Sequence, residues 1–343
     1  MKKSVSLKIA TGAALVSFVA FACAKSDDTA STASSNNTTT ASGRPTVVEC
    51  SSLTTELGQT AVTKLAEYGY KKCSMVFGIL IANSNEVTIR EQDITAMTQS
   101  IADILAEALD NDQNGTADDS TVVAQLKTSS TGTWINVQSQ ANQTNEDTIV
   151  SAMSSYLGKD MGIKYSWLAG DYTASMYGTI YEKHMIVEEV THLMHHYGYA
   201  KAYPTKWGVS DDGCGSNTSS GCDWNQSTLT KLAFEAMTSS SNWYYHGENT
   251  TNDNGSHITG SCAGPSCAAV EFIMNVVMEY RNIRHHDSDN ASSGTAFPTT
   301  SSGIATILES TANGIAMKAI LDDATQNQFI KGMTWSYNPT SSQ

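Results

Sequence analysis

Residues 184–196 read His-Met-Ile-Val-Glu-Glu-Val-Thr-His-Leu-Met-His-His, a segment that puts metal-ligand side chains at helical spacing inside an apolar run. Met185, Ile186, Val187, Val190, Leu193 and Met194 cover most of a helix's circumference. Part of the Glu/His stripe must therefore be buried, and a buried charge needs a partner or a metal. At ~100° per residue, Glu188, His192 and His195 fall within ~60° of one another, with His184 close to the same stripe. All 8 histidines of the chain lie between His184 and His286. Histidine is clustered on and after this helix, and the fold has to bring complementary groups to it.

The spacing of Glu188-Glu189-Val190-Thr191-His192 is that of the zinc helix H-E-x-x-H, with glutamate where the first histidine stands. A carboxylate in place of an imidazole keeps the geometry and hardens the donor set, which brings Mn²⁺, Fe²⁺ or Ca²⁺ alongside Zn²⁺ as occupants. The residues assign Glu188 and His192 as ligands and Glu189 as the general base that activates a water. A second assignment, in which Glu188 or Glu189 binds with both His192 and His196, has equivalent spacing. A catalytic ion takes three protein ligands and keeps one position open. The third is expected from Glu271, the one acid in an apolar helix over 268–278, with Glu235 in reserve. His246, in the aromatic run Trp243-Tyr244-Tyr245-His246, could donate to a substrate carbonyl or oxyanion, as could Tyr244 or Tyr245. His257, His285 and His286 lie in polar loop sequence and are expected to be solvated.

A second cation site is expected in a loop. Residues 110–119, Asp-Asn-Asp-Gln-Asn-Gly-Thr-Ala-Asp-Asp, match the D-x-[DN]-x-[DN]-G start of an EF-hand loop. Asp110, Asp112 and Asn114 supply oxygen at positions 1, 3 and 5, Thr116 stands at position 7 and Asp118 at position 9. Position 12 is Thr121 where a bidentate glutamate is usual, so Asp118 and its neighbour Asp119 would have to compensate in a weak structural Ca²⁺ site. Apolar residues at helical spacing precede the loop, Ile101, Ile104, Leu105 and Leu109, and Val122, Val123 and Leu126 follow it.

The first 22 residues carry a Lys2/Lys3 start, an apolar run from Ile9 to Phe21 and small residues before Cys23, the pattern of a secretory signal peptide. Ala20-Phe21-Ala22-Cys23 resembles a lipobox, which implies an N-terminal lipid anchor at Cys23; cleavage after Ala22 or Ala24 is the alternative. Residues 23–46 form a polar tract too poor in apolar content to order itself, and read as a tether. Setting Cys23 aside leaves six of the 7 cysteines, an even number that in an exported chain favours disulfides. Proximity suggests Cys50–Cys73, Cys214–Cys222 and Cys262–Cys267. The net charge of −14 argues against nucleic acid as a partner and fits an outer-membrane or cell-surface lipoprotein, or a secreted protein.

Residues 47–343 are expected to form a metallohydrolase-like α+β domain, mainly α-helical, single or two-lobed. Buried strands are expected over 74–81 and 133–137. Helices are expected over 51–68, 93–109, 120–127, 146–157, 179–197, 227–239, 267–284 and 303–325, with Gly198 as the C-cap of the histidine helix and Pro204 blocking its resumption. The segments 208–226 and 247–266 are expected to be long loops at a cleft rim.

At Glu188-Glu189-Val190-Thr191-His192 and Glu271 the chain resembles the Glu-zincins, zinc peptidases whose H-E-x-x-H helix faces a second helix bearing a glutamate ligand. The resemblance covers two helices, and Glu188 departs from the pattern. It implies hydrolysis of a peptide or protein substrate, with Glu188, His192 and Glu271 as ligands and Glu189 as base. The order of calcium-type loop, E-E-x-x-H helix and isolated helix glutamate is also similar to that of a group of uncharacterised secreted microbial proteins. The rival expectation is a surface lipoprotein that binds a protein or matrix partner without chemistry.

Overall fold

The apolar run at 74–81 is two strands. Phe77 and Gly78, at φ 49° and 86°, form a two-residue turn that folds β2 (Lys72–Val76) against β3 (Ile79–Asn83) with Val76 opposite Ile79. Positive φ at both turn residues matches the twist of a tight hairpin, and phenylalanine in the first of them is why the turn is hard to see in the sequence. β1 (Val47–Glu49) adds antiparallel to β2, while β4 (Thr133–Val137) and β5 (Lys159–Ile163) add parallel beyond β3, giving the order β1-β2-β3-β4-β5. The expected strand at 133–137 is β4; β5, Lys-Asp-Met-Gly-Ile, lacks an alternating pattern and was not anticipated. A disulfide joins Cys50 to Cys73 and fastens the end of β1 to β2.

This computed structural model describes residues 43–85, 93–165, 168, 186–210, 221–238, 264–281, 308–309, 311–323, 330, 333–334 and 337–339, all within one compact unit, Asn36–Gln343. The signal segment 1–22 and Cys23 lie outside the described residues. Of the segment 23–46, only 43–46 is described; there Arg44 pairs with Asp103 through both guanidinium and carboxylate forks, and Pro45 accepts a bond from Gln99, so these last residues pack on the domain. Cys222 and Cys267 are in disulfides; Cys214 and Cys262 lie outside the described residues. No described helix is long and apolar enough to cross a membrane.

The sheet separates two cores. Leu80, Ala82 and Trp134 point to the side of α2 (Gln59–Glu67) and α6 (Glu146–Leu157). The expected helix over 51–68 is broken at Gly58, φ 83°, into α1 (Thr54–Leu57) and α2. Ile79, Ile81, Ile135 and Val137 point to the other face and pack with α3 (Ile94–Leu109) and α4 (Ser120–Leu126). Asp93 caps α3 by accepting from the Ala96 amide. The chain leaves β3 through α3 and α4 on one face, and leaves β4 through α5 (Gln140–Thr144) and α6, the latter on the opposite face. Since β3, β4 and β5 are parallel and in order, the two crossovers have opposite hands, and one departs from the usual right-handed rule.

The histidine helix, α7, is helical from 186 and widens to π pitch over Leu193–Tyr199 before a last turn, Ala200–Ala202. Gly198 does not end it. A Cβ there would lie 2.8 Å from Val122 Cγ1 and 3.2 Å from Leu126 Cδ1, so the glycine lets α7 lie close against α4. Pro204 opens the short α8 (Pro204–Trp207) from its first turn, where its missing N–H costs nothing, and so restarts helix where a stop was expected. Helices α9 (Thr228–Thr238), α10 (Pro265–Tyr280) and α11 (Ala312–Asp322) complete the larger core and fall within the ranges expected for 227–239, 267–284 and 303–325, except that α10 begins two residues early at Pro265. Fold class is α+β, mainly helical.

Candidate metal centre

Both helices that carry the candidate ligands are fixed by burial. On α7, Ile186, Val187, Val190 and Leu193 are fully buried, as are Ala268, Ala269, Phe272, Ile273, Val276 and Val277 on α10. These apolar faces leave Glu188, His192 and Glu271 one place to go, the seam between the helices. One ligand atom from each of the three lies within 4.8 Å of the other two. Coordination bonds of ~2.0–2.2 Å put ligand atoms on one tetrahedral ion about 3.3–3.6 Å apart, and His192 Nε2 and Glu271 Oε1 already stand at 3.5 Å.

Electrostatics fit a cation as well. His192 is 7% exposed, and burial first, then the neighbouring His196, lower its imidazole to about 4. It is neutral at physiological pH, the form that binds metal. Its Nε2 lies 3.5 Å from Glu271 Oε1, and its Nδ1 is buried with no hydrogen-bond partner among the described residues. Because the ring is neutral, that approach is not an ion pair, and in the tautomer with its hydrogen on Nδ1 the Nε2 lone pair faces the position an ion would take. Glu189 is 7% exposed, and its carboxyl is pushed well above the usual range by burial and then by Glu188 and Glu271; Lys164 acts in the opposite sense. Glu188, Glu271 and a neutral imidazole converge here beside Glu189; among the described residues Lys164 opposes the effect of the two carboxylates on Glu189, and added positive charge would do the same.

The remaining histidines do not join the cluster. His195 does not share the stripe with Glu188: π pitch turns it inward, fully buried, with Nε2 3.1 Å from the Trp207 carbonyl oxygen. His196, the ligand of the second assignment, stacks on Tyr197 with ring centroids 4.8 Å apart and is not among the three converging residues. Glu235 accepts from Asn313 Nδ2 at 2.7 Å, and is also outside that group. His184, His246, Tyr244, Tyr245, His257, His285 and His286 lie outside the described residues.

In the acidic loop, oxygens of Asp110, Asp112 and Asp118 lie within 4.8 Å of one another. Asp110 is fully buried and accepts from the amides of Asn114 at 3.1 Å and Gly115 at 2.8 Å, while Asn114 Oδ1 accepts from the Thr116 amide at 2.8 Å. Asp119 does not stand in for the missing position-12 ligand. It caps α4, accepting from Thr121 and Val122 at 3.0 Å each, and takes the Tyr203 hydroxyl at 2.8 Å. Sequence reasoning also missed Tyr337, whose hydroxyl donates to Asp110 at 2.5 Å across a separation of 227 residues. No local pattern announces such a contact.

Fold and site together define an α+β protein with a carboxylate–histidine cluster on two packed helices. No family model matches the chain, and no curated protein and no solved structure is detectably similar to it.

Proposed function

We propose that the chain is a metal-dependent hydrolase acting on a peptide or protein, with Glu188, His192 and Glu271 holding Zn²⁺, or else Mn²⁺ or Fe²⁺. The observation that carries this reading is the convergence of three ligand atoms from two buried helices within 4.8 Å, a neutral histidine among them. A divalent cation held there supplies Lewis acidity toward a carbonyl. Glu189, next to one ligand and within electrostatic reach of both carboxylate ligands, takes the proton from the attacking water and returns it to the leaving group. Burial first, then Glu188 and Glu271, favour the protonated form of Glu189. Positive charge on the triad acts in the opposite sense, so the base function and the cation go together.

Peptide is the substrate class implied by the E-E-x-x-H resemblance. The same reading takes the protein as exported, anchored through Cys23, with Ca²⁺ as a structural ion on the Asp110 loop. Elemental analysis of protein purified without chelator tests the centre, with His192→Ala and Glu189→Gln beside wild type. Near-stoichiometric Zn, Mn or Fe in wild type and Glu189→Gln, lost in His192→Ala, together with hydrolysis of a peptide library by wild type alone, is the expected result. Folded wild type that takes up no transition metal sinks the hydrolase and leaves the partner-binding surface lipoprotein.

A further inference from the structure

The carboxyl ends of β3, β4 and β5 open onto a cleft of about 450 Å³, inside the ~300–1,000 Å³ range of small-molecule sites. Topology puts it there. Neighbouring parallel strands β3 and β4 send their connections to opposite faces of the sheet, and that arrangement leaves a crevice beyond the strand ends, where open sheets hold ligands. Ser84 and Asn85 enter it directly after β3, Ser139 and Gln140 after β4, and Tyr165 two residues after β5. Tyr68 and Asn142 complete the wall from α2 and α5.

The lining defines the chemistry of a ligand. Its described side chains are hydroxyls, amides and phenols, with no Asp, Glu, Lys, Arg or His among the described residues, so they pair with uncharged polar groups of a ligand rather than with a phosphate, a carboxylate or an ammonium group. Its hydroxyls and amides each donate and accept, and matching a ligand to them calls for groups that do both. Tyr68 and Tyr165 add flat apolar faces with polar tips. The wall is already set: Ser84 Oγ donates to the Val137 carbonyl at 3.1 Å and accepts from the Ser139 amide at 2.9 Å, and Asn142 Nδ2 donates to the Tyr68 carbonyl at 2.9 Å. A preset wall lowers the ordering cost of binding, and Gln140 stands exposed at the rim to contact what enters.

We propose that this cleft binds a neutral saccharide, whose hydroxyls match the amide and hydroxyl wall and whose C–H faces lie against the tyrosines. No lining residue belongs to the Glu188–His192–Glu271 cluster, and the inference stands whether or not that cluster holds a metal. The test is isothermal titration of the mature chain with cellotriose, maltotriose and chitotriose at millimolar concentration. Wild type is compared with Gln140→Ala and with Gln140→Ala/Tyr68→Leu, and circular dichroism checks the fold of each. Saturable binding of at least one trisaccharide, weakened about tenfold in each variant as expected for one lost hydrogen bond or ring contact, is the result that supports the proposal. Gln140 is exposed, so the single variant retains the fold and decides the matter where the double variant does not. Absence of binding to all three, or equal binding in Gln140→Ala, overturns it.

Discussion

Acid should destabilise this protein through His195, and the size of the effect can be worked out. The ring is fully buried beside Trp207, with centroids 5.7 Å apart, and Nε2 lies 3.1 Å from the Trp207 carbonyl oxygen. A carbonyl accepts, so Nε2 carries the hydrogen and Nδ1 is bare. Nδ1 is buried with no partner among the described residues, and a second proton would sit there with nothing to receive it. Burial lowers the imidazole from 6.5 to about 3, with the Trp207 bond opposing. Since the folded value lies below the unfolded one, the unfolded chain binds more protons below pH 6.5. Stability is therefore intact above that pH and is lost as pH falls from 6.5 towards 3. Integrated from about pH 7.5 to about pH 4.5, one such group removes about 3 kcal/mol. Urea unfolding of wild type and His195→Gln across that range, followed by tryptophan fluorescence with chelator present, isolates the term. The variant should start less stable and lose about 3 kcal/mol less on acidification. A gap between the two proteins that does not change with pH would refute the reasoning.

Other perturbations have definite signs. Gly78→Ala should cost about 1–2 kcal/mol in urea unfolding, because φ is +86° and the new Cβ would lie 3.2 Å from Lys127 Cγ; an unchanged midpoint would show that the hairpin turn is not as described. Cys50→Ser/Cys73→Ser opens a loop with a sequence separation of 23, and should lower stability by about 3 kcal/mol on the loop-entropy scale, measured against oxidised wild type. Ca²⁺ at about ten times a millimolar-range Kd should stabilise wild type by about 1.4 kcal/mol; Asp112→Ala should abolish the thermal shift, and an equal shift in the variant would place the ion elsewhere. Glu188→His restores the all-imidazole first pair and removes one of the charges that raise Glu189, so in metal competition its Zn over Mn ratio should rise above that of wild type.

How far the residues foretold the structure depends on the range of the signal. The helices 93–109 and 120–127 are readable because apolar residues recur at helical spacing, and with 146–157 they appear as Ile94–Leu109, Ser120–Leu126 and Glu146–Leu157, the first two capped by Asp93 and Asp119. The Cys50–Cys73 bridge followed from proximity. Two misreadings share one cause, a residue type used for a purpose its local context does not reveal. Phe77 occupies a left-handed turn position where glycine or asparagine is usual, so the hairpin looks like a single strand. Gly198 looks like a helix terminator, yet it is there because Val122 lies where its Cβ would be, a neighbour that sequence spacing cannot supply.

For the site, the pairing of Glu188 and His192 was readable from their spacing, and Glu271 from its isolation in an apolar helix; the structure brings all three together. What the spacing could not give was the pitch beyond His192. Extending an α-helical stripe puts His195 beside Glu188, whereas the π segment Leu193–Tyr199 sends it to the Trp207 carbonyl and leaves His196 against Tyr197. The change of pitch has a structural source in view, since α7 must keep Gly198 against α4 while Glu188 and His192 face α10. Those two demands fall on opposite ends of one helix, and a regular α pitch fixes the angle between them; one widened turn frees it. The same irregularity that hides His195 from sequence reasoning thus lets the cluster and the α4 contact coexist, and it limits the cluster to a single histidine among the described residues.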